Sequence, residues 1–167
     1  MLRIGLLSDT HNYLHPKVFD FFAPCNEIWH AGDIGNIGLA DELNKFRPLT
    51  AVYGNIDGAD VKAVYPLHKK FYCEKVTVWI THIGGYPGNY APEIRSRIIS
   101  NPPRLFISGH SHILKVVNDK KLGLLHINPG AAGKYGLHKA ITFVRFIINE
   151  NRIYDLEIME LEKSGLA

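Results

Sequence analysis

Five short apolar runs in the first two thirds of this 167-residue sequence stop at a turn, and each stop carries one or two side chains able to ligate a metal ion. The stops are Asp9 with His11, Asp33, Asn55, His82, and His110 with His112. A short apolar run bounded by turn residues reads as a strand buried on both faces. In open α/β sheets, ligands bind in the crevice beyond the carboxyl ends of the strands. Polar chemistry placed in this way therefore constrains the chain to a sheet architecture in which several strand ends converge.

The order of elements supports this. Leu2–Ser8, Glu27–His30 and Leu49–Tyr53 read as strands, with helices expected over Lys17–Phe22 and Ile37–Phe46. In the second helix Leu39, Leu43 and Phe46 keep helical spacing, and Arg47-Pro48 ends it. Strand–helix alternation is the mark of parallel pairing through crossovers. The middle and end of the chain change character. Phe71–Cys73 and Val76–Thr81 read as paired strands about Glu74-Lys75, Glu93–Ile99 as a helix opened by Pro92, and Arg104–Ser108 as a strand ending at Gly109. Leu114–Val117 and Leu122–Ile127 flank Asn118–Lys121, while Ala140–Ile148 and Arg152–Glu160 flank a hairpin turn at Asn149-Glu150-Asn151. The expected fold is α/β: a parallel half and an antiparallel half, as two sheets packed face to face with helices outside. The length suits a single domain over residues 1–167.

Bulk properties exclude several classes. The chain is 46% hydrophobic and 21% charged, the balance of a globular domain. Its net charge of +3 is spread out, and Lys69-Lys70 and Lys120-Lys121 are too sparse for a phosphate track, which argues against nucleic-acid binding. Cys25 and Cys73 have no metal-binding or redox spacing, so a reducing compartment is expected. No apolar run reaches the roughly 18 residues of a membrane span, and the cytoplasm is the expected location.

The candidate ligands form a set with a chemical logic. In Asp9-Thr10-His11, alternate residues of an extended segment share a direction, so a carboxylate and an imidazole face one point. His110-Ser111-His112 offers two imidazoles in the same way. Gly32 before Asp33 and Gly54 before Asn55 let the backbone turn without a Cβ. A mixed Asp/Asn/His set suits Mn²⁺, Fe²⁺, Zn²⁺ or Ni²⁺, and seven donors suit two ions better than one. His30 and His126 read as structural, His138 as a loop residue beside the pocket, and Asp57 as a turn cap or a site residue. Tyr86 and Tyr90 read as local packing or a substrate wall. Neither Ser8 nor Ser111 lies in Gly-x-Ser-x-Gly.

In series, Asp9-x-His11, Gly32-Asp33, Gly54-Asn55, His82 and Gly109-His110-x-His112 resemble the five motif blocks of the calcineurin-like metallophosphoesterase superfamily, and the small size and Asn128-Pro129-Gly130 resemble its short phosphodiesterase branch. The resemblance implies two mixed β-sheets flanked by helices, a four-layer αββα sandwich. It implies Asp9, His11, Asp33 and His112 around a first ion, and Asp33, Asn55, His82 and His110 around a second. Asp33 would bridge, and Asp33, Asn55 and His110 would be the catalytic positions, with Asn12 touching substrate. The implied activity is hydrolysis of a small or activated phosphodiester by a metal-bridging hydroxide. Mn²⁺ is the expected ion, with Ni²⁺, Fe²⁺, Zn²⁺ or Mg²⁺ as alternatives, and a homo-oligomer is the implied assembly. Many members carry a histidine after the motif asparagine. Here Ile56 stands there, and it cannot protonate a leaving group. The alternatives are a phosphomonoesterase, a nuclease, for which the chain lacks room, and a non-catalytic scaffold similar to the phosphoesterase-fold subunit of retromer.

Overall fold

The computed structural model describes residues 1–163. The elements are β1 (Leu2–Leu7), α1 (Lys17–Phe22), β2 (Glu27–His30), α2 (Ile37–Phe46), β3 (Leu49–Ala51), α3 (Ala59–Val64), β4 (His68–Cys73), β5 (Val76–Thr81), β6 (Gly85–Tyr86), β7 (Asn89–Tyr90), α4 (Pro92–Ser100), β8 (Leu105–Ile107), β9 (Leu114–Asp119), β10 (Leu124–Pro129), β11 (Ala140–Asn149) and β12 (Arg152–Glu162). One sheet runs β12-β11-β1-β2-β3 and the other β4-β5-β8-β10-β9, with β6 and β7 as a small separate ribbon.

The division into a parallel and an antiparallel half is corrected. Each sheet is mixed. Strands β1, β2 and β3 are parallel, with β11 antiparallel on the free edge of β1. Strands β5, β8 and β10 are parallel, with β4 and β9 antiparallel at the two edges. The apolar pattern specifies which face of a strand is buried but not which neighbour it pairs with. The backbone N–H and C=O groups of buried β1 need a partner on each edge, and β11 supplies the second.

Three apolar layers hold the four structural layers together. Ile4, Leu6, Trp29, Val144 and Phe146 of the first sheet meet Val78, Ile80, Leu105, Ile107 and Ile127 of the second. On the outer face of the first sheet, Leu7, Ile28, Ala51 and Phe143 pack against α1, α2 and α3 through Phe22, Leu43 and Val61. On the outer face of the second, Trp79, Phe106 and Leu124 pack against Ile94 and Ile98 of α4. This is the αββα sandwich. Helix α3, of six residues, and the two-residue strands of the β6–β7 ribbon are too short to show a period.

Two parallel triplets, one in each sheet, direct their carboxyl ends to the same side of the sandwich. Phe146 sits between the sheets with its ring 5.9 Å from that of Trp29. Phe146→Ala is expected to cost about 3–5 kcal/mol by opening a cavity in this layer, measured as a lower urea midpoint with an unchanged denaturant slope.

Candidate metal centre

Five loops follow the carboxyl ends of β1, β2, β3, β5 and β8, and hydrogen bonds join them before any side chain is considered. The β1 and β2 loops extend their strand ladder through Asp9 N–H to Gly32 O, His11 N–H to Asp33 O and Asn12 N–H to Ile34 O. Gly109 N–H donates to His82 O, joining the β5 and β8 loops. Asp57 joins the β3 loop to the β2 loop, accepting from Gly54 N–H and Gly35 N–H at 2.7 Å each. It is buried and acts as a clamp between two loops, rather than as the cap of α3, whose first residue has no side-chain cap.

At the centre, two bonds cross from the loops of one sheet to those of the other. Asp9 Oδ2 accepts from His110 N–H at 3.0 Å, as well as from the Ser8 hydroxyl at 2.7 Å. His82 Nδ1–H donates to Ala31 O at 2.8 Å. That bond assigns the tautomer and leaves His82 Nε2 facing the centre. Asp33 is held similarly, its Oδ1 accepting from Ile56 N–H at 3.0 Å. Each carboxylate therefore has one anchored oxygen and one directed inward.

The inward atoms converge. His82 Nε2 lies 3.2 Å from Asp33 Oδ2 and 3.8 Å from Asp9 Oδ1, and His11 Nε2 lies 3.6 and 3.8 Å from the same two oxygens. His112 Nε2 is 3.2 Å from Asp9 Oδ1. Asp9, His11 and His112 form one group of potential donors, and Asp33, His82 and His110 form another. Asp9 Oδ1, His11 Nε2 and His82 Nε2 are buried without a hydrogen-bond partner among the described residues. Buried polar atoms are normally satisfied, so three bare donor atoms facing one point fit divalent cations. Six of the seven expected ligand positions thus converge. The seventh, Asn55, is exposed and lines the same cleft as His82.

Backbone geometry reflects this convergence. Among the described residues, nine non-glycine residues have positive φ, and six of them are Asp9, His11, Asn12, Asp33, His110 and His112. Such conformations cost roughly 1–2 kcal/mol each and collect at functional sites. The glycines of the motifs are explained by close approach: a Cβ on Gly32 would lie 2.7 Å from the His82 ring, and one on Gly54 would strike the Asp33 carboxylate.

Electrostatics follow from packing. Burial works to raise the Asp9 carboxyl, but the adjacent His112 imidazole, the charge of His82 and the Ser8 hydroxyl hold it below its ordinary value. Asp33 is lowered in the same way against its burial by His82 and the Ile56 amide. Burial opposes protonation of His82, and Asp33 and Asp9 overcome it, raising that imidazole. A pair of buried carboxylates thus recruits positive charge.

Two further histidines support the candidate ligands. His138 Nε2–H donates to Gly133 O at 2.9 Å, so its Nδ1 can only accept, 3.3 Å from His112 Nδ1. His112 must then carry its proton on Nδ1 and present an unprotonated Nε2 inward. The sequence offers no signal for this relay, because nothing in a loop histidine 26 residues away reveals its neighbour. His30 is fully buried and accepts from Gly32 N–H on Nδ1, so its Nε2–H donates to Thr10 Oγ1 at 2.9 Å. Asn12 is exposed, and its Oδ1 accepts from Asn36. Tyr135 places its ring 5.1 Å from that of His11 at the mouth. Both cysteines are free and buried.

Residues 2–151 match the sequence profile of the calcineurin-like phosphoesterase superfamily domain. The chain belongs to that superfamily. A probable metallophosphoesterase of Methanothermobacter thermautotrophicus is 30% identical over 140 residues, covering 78% of this chain and 77% of that protein. An archaeal phosphodiesterase of 22% identity has a TM-score of 0.71, covering 96% of this chain and 100% of its own. Vps29 from Entamoeba histolytica, in complex with Zn²⁺, has a TM-score of 0.73 at 16% identity, covering 97% of this chain and 99% of its own. At these identities the structural likeness is one of fold. Calcineurin-like phosphoesterases act on phosphoesters with divalent metals, and the donor set here has the chemistry for them. No helix among the described residues is long and apolar enough to cross a membrane.

Two outcomes are expected. His138→Phe removes the group that orients His112 and should weaken Mn²⁺ affinity about 10–100-fold by titration calorimetry, with the fold retained. Burial drives the His30 pKa from 6.5 down to about 4, so the unfolded chain takes up its proton first. The stability this neutral imidazole contributes is full above pH 6.5 and lost as pH falls towards 4, by on the order of 3 kcal/mol. Urea midpoints measured across that window should decline, and less steeply in His30→Gln.

Proposed function

We propose that this chain is a two-metal phosphodiesterase acting on a small or activated diester, with the activity carried by one domain over residues 1–167. Asp9, His11, Asp33 and His112 would hold one ion, and Asp33, Asn55, His82 and His110 the other, with Asp33 between them. The observation that carries this reading is the pair of three-donor groups together with the bare, inward Asp9 Oδ1, His11 Nε2 and His82 Nε2. The phosphodiesterase activity of a structural neighbour agrees with it. When bound, the ions supply Lewis acidity, lowering the pKa of water and neutralising charge on the phosphoryl oxygens. Mn²⁺ is the proposed ion.

The protein groups have distinct tasks. Ser8 and the His110 amide hold Asp9 so that only one of its oxygens faces the centre. The Ile56 amide does the same for Asp33. His110 and Asn55, both exposed, would meet the phosphoryl group. The Asn12 amide nitrogen is a further donor to it. Ile56 has an apolar side chain on the rim and gives no proton to the departing oxygen. A general acid is typically worth about 10²–10⁴-fold, so the activity should favour leaving groups that depart as stable anions.

A second reading has its own observation. Ile56, Ile83, Ile113, Tyr135 and Leu137 are exposed apolar side chains on the loops around the centre. Such a rim suits apolar substituents of a substrate, and it equally suits a protein surface, as expected of a non-catalytic scaffold.

One experiment separates the two. Chelator-stripped protein with added Mn²⁺ is expected to cleave bis-p-nitrophenyl phosphate in preference to p-nitrophenyl phosphate, and to do so only with metal. Metal uptake without cleavage of either ester would favour the scaffold. Asp33→Asn should take up neither ion by calorimetry, and uptake of two equivalents by that variant would refute the bridging position.

A further inference from the structure

Under the β6–β7 ribbon lies a cavity of about 260 Å³ whose lining includes Gly109 and His110, so it adjoins the metal centre directly. The ribbon is fixed in place: Ala91 N–H donates to Gly84 O at 3.0 Å, the Ser108 hydroxyl donates to Gly85 O at 3.2 Å, and the Tyr90 hydroxyl donates to Asp119 at 2.7 Å. Its walls are apolar and aromatic, from Ile83, Tyr86, Tyr90 and Ile113. Lys115 also lines the cavity, its ammonium 3.7 Å from the centre of the Tyr86 ring.

Two polar side chains of β10 line the cavity, and they differ. Asn128 is saturated, donating to Gly109 O and the Ser111 hydroxyl and accepting from Gly130 N–H. His126 is fully buried, and neither of its ring nitrogens has a hydrogen-bond partner among the described residues. Its ring lies tilted against Phe106, with centroids 5.5 Å apart. Burial takes its pKa down to about 4, against a weaker pull from the Phe106 backbone, so the ring is neutral at ordinary pH. A neutral imidazole offers one donor and one acceptor nitrogen. An alkyl chain would leave the imidazole unpaired.

We propose that this cavity is a subsite for one substituent of the diester, a flat neutral ring with apolar faces and a hydrogen-bonding edge, of the kind a nucleobase presents. The ring's faces meet the aromatic and aliphatic walls, and its edge meets His126. The Lys115 ammonium, stacked on Tyr86, sets positive charge beside the diester's own negative charge. The cavity has room for a ring and a short linker, which selects a small nucleotide-type diester over a polymer. This rests on the phosphodiesterase reading, and the test keeps the two apart.

The first arm uses the metal-stripped full chain and thymidine, which has no phosphate. Thymidine is expected to shift the His126 ring signals saturably in ¹⁵N–¹H spectra while leaving His68 unmoved. The second arm compares thymidine 5′-(p-nitrophenyl phosphate) with methyl p-nitrophenyl phosphate, which release the same phenolate. The thymidine ester is expected to show a KM about tenfold lower, and His126→Phe should erase that difference. Absence of a His126 shift, or equal KM values for the two diesters, overturns the subsite. A His126 shift with no cleavage of either diester leaves the subsite standing and overturns the phosphodiesterase reading instead.

Discussion

Two like charges held out of water at one point govern this molecule. The inward oxygens of Asp9 and Asp33 both lie within 3.8 Å of the ring nitrogens of His11 and His82. Neighbouring buried carboxylates are unfavourable without positive charge between them. The chain supplies some by raising His82, and dications would supply far more. Much of the surrounding structure can be understood as holding this pair in place. Backbone amides of Ile56 and His110 occupy the outward oxygens. Left-handed backbone recurs at Asp9, His11, Asp33, His110 and His112, around this pair. The Asp57 clamp keeps the β3 loop against the β2 loop.

The two carboxylates belong to adjacent strands of one sheet, while His82 and His110 come from the other. The centre is thus also a joint between sheets, made by a carboxylate accepting His110 N–H and an imidazole donating to Ala31 O. A superfamily with this arrangement can vary its substrate by changing the ribbon, the rim and the cavity wall while leaving the joint alone. This accords with a chain that shares its fold with both a phosphodiesterase and Vps29.

Much of this was legible in the sequence because strand ends announce themselves. An apolar run, a glycine and a donor residue form a local signal, and Asp33, Asn55 and His110 each show it. The parallel order of β1, β2 and β3 followed from the alternation with helices. Other features were illegible for specific reasons. The partner of β1 is a strand from the far end of the chain, and periodicity says nothing about long-range pairing. Asp57 reads as a local turn residue, yet one of its bonds runs 22 residues back to Gly35. The pairing of His138 with His112 and the isolation of His126 depend on which loops lie side by side, a property of three-dimensional packing alone.

The pairing of β1 with β11 bears on how the molecule comes into being. Leu2 stands opposite Ile148, so the strand carrying Asp9 has one edge open until almost the whole chain is available. Every candidate ligand lies at or before residue 112, ahead of β11 in sequence. During synthesis from the amino terminus the donors therefore emerge before the sheet that disciplines them is complete. Closure of so long a loop is entropically slow, and in that interval the unpaired β1 edge is open to association with other chains.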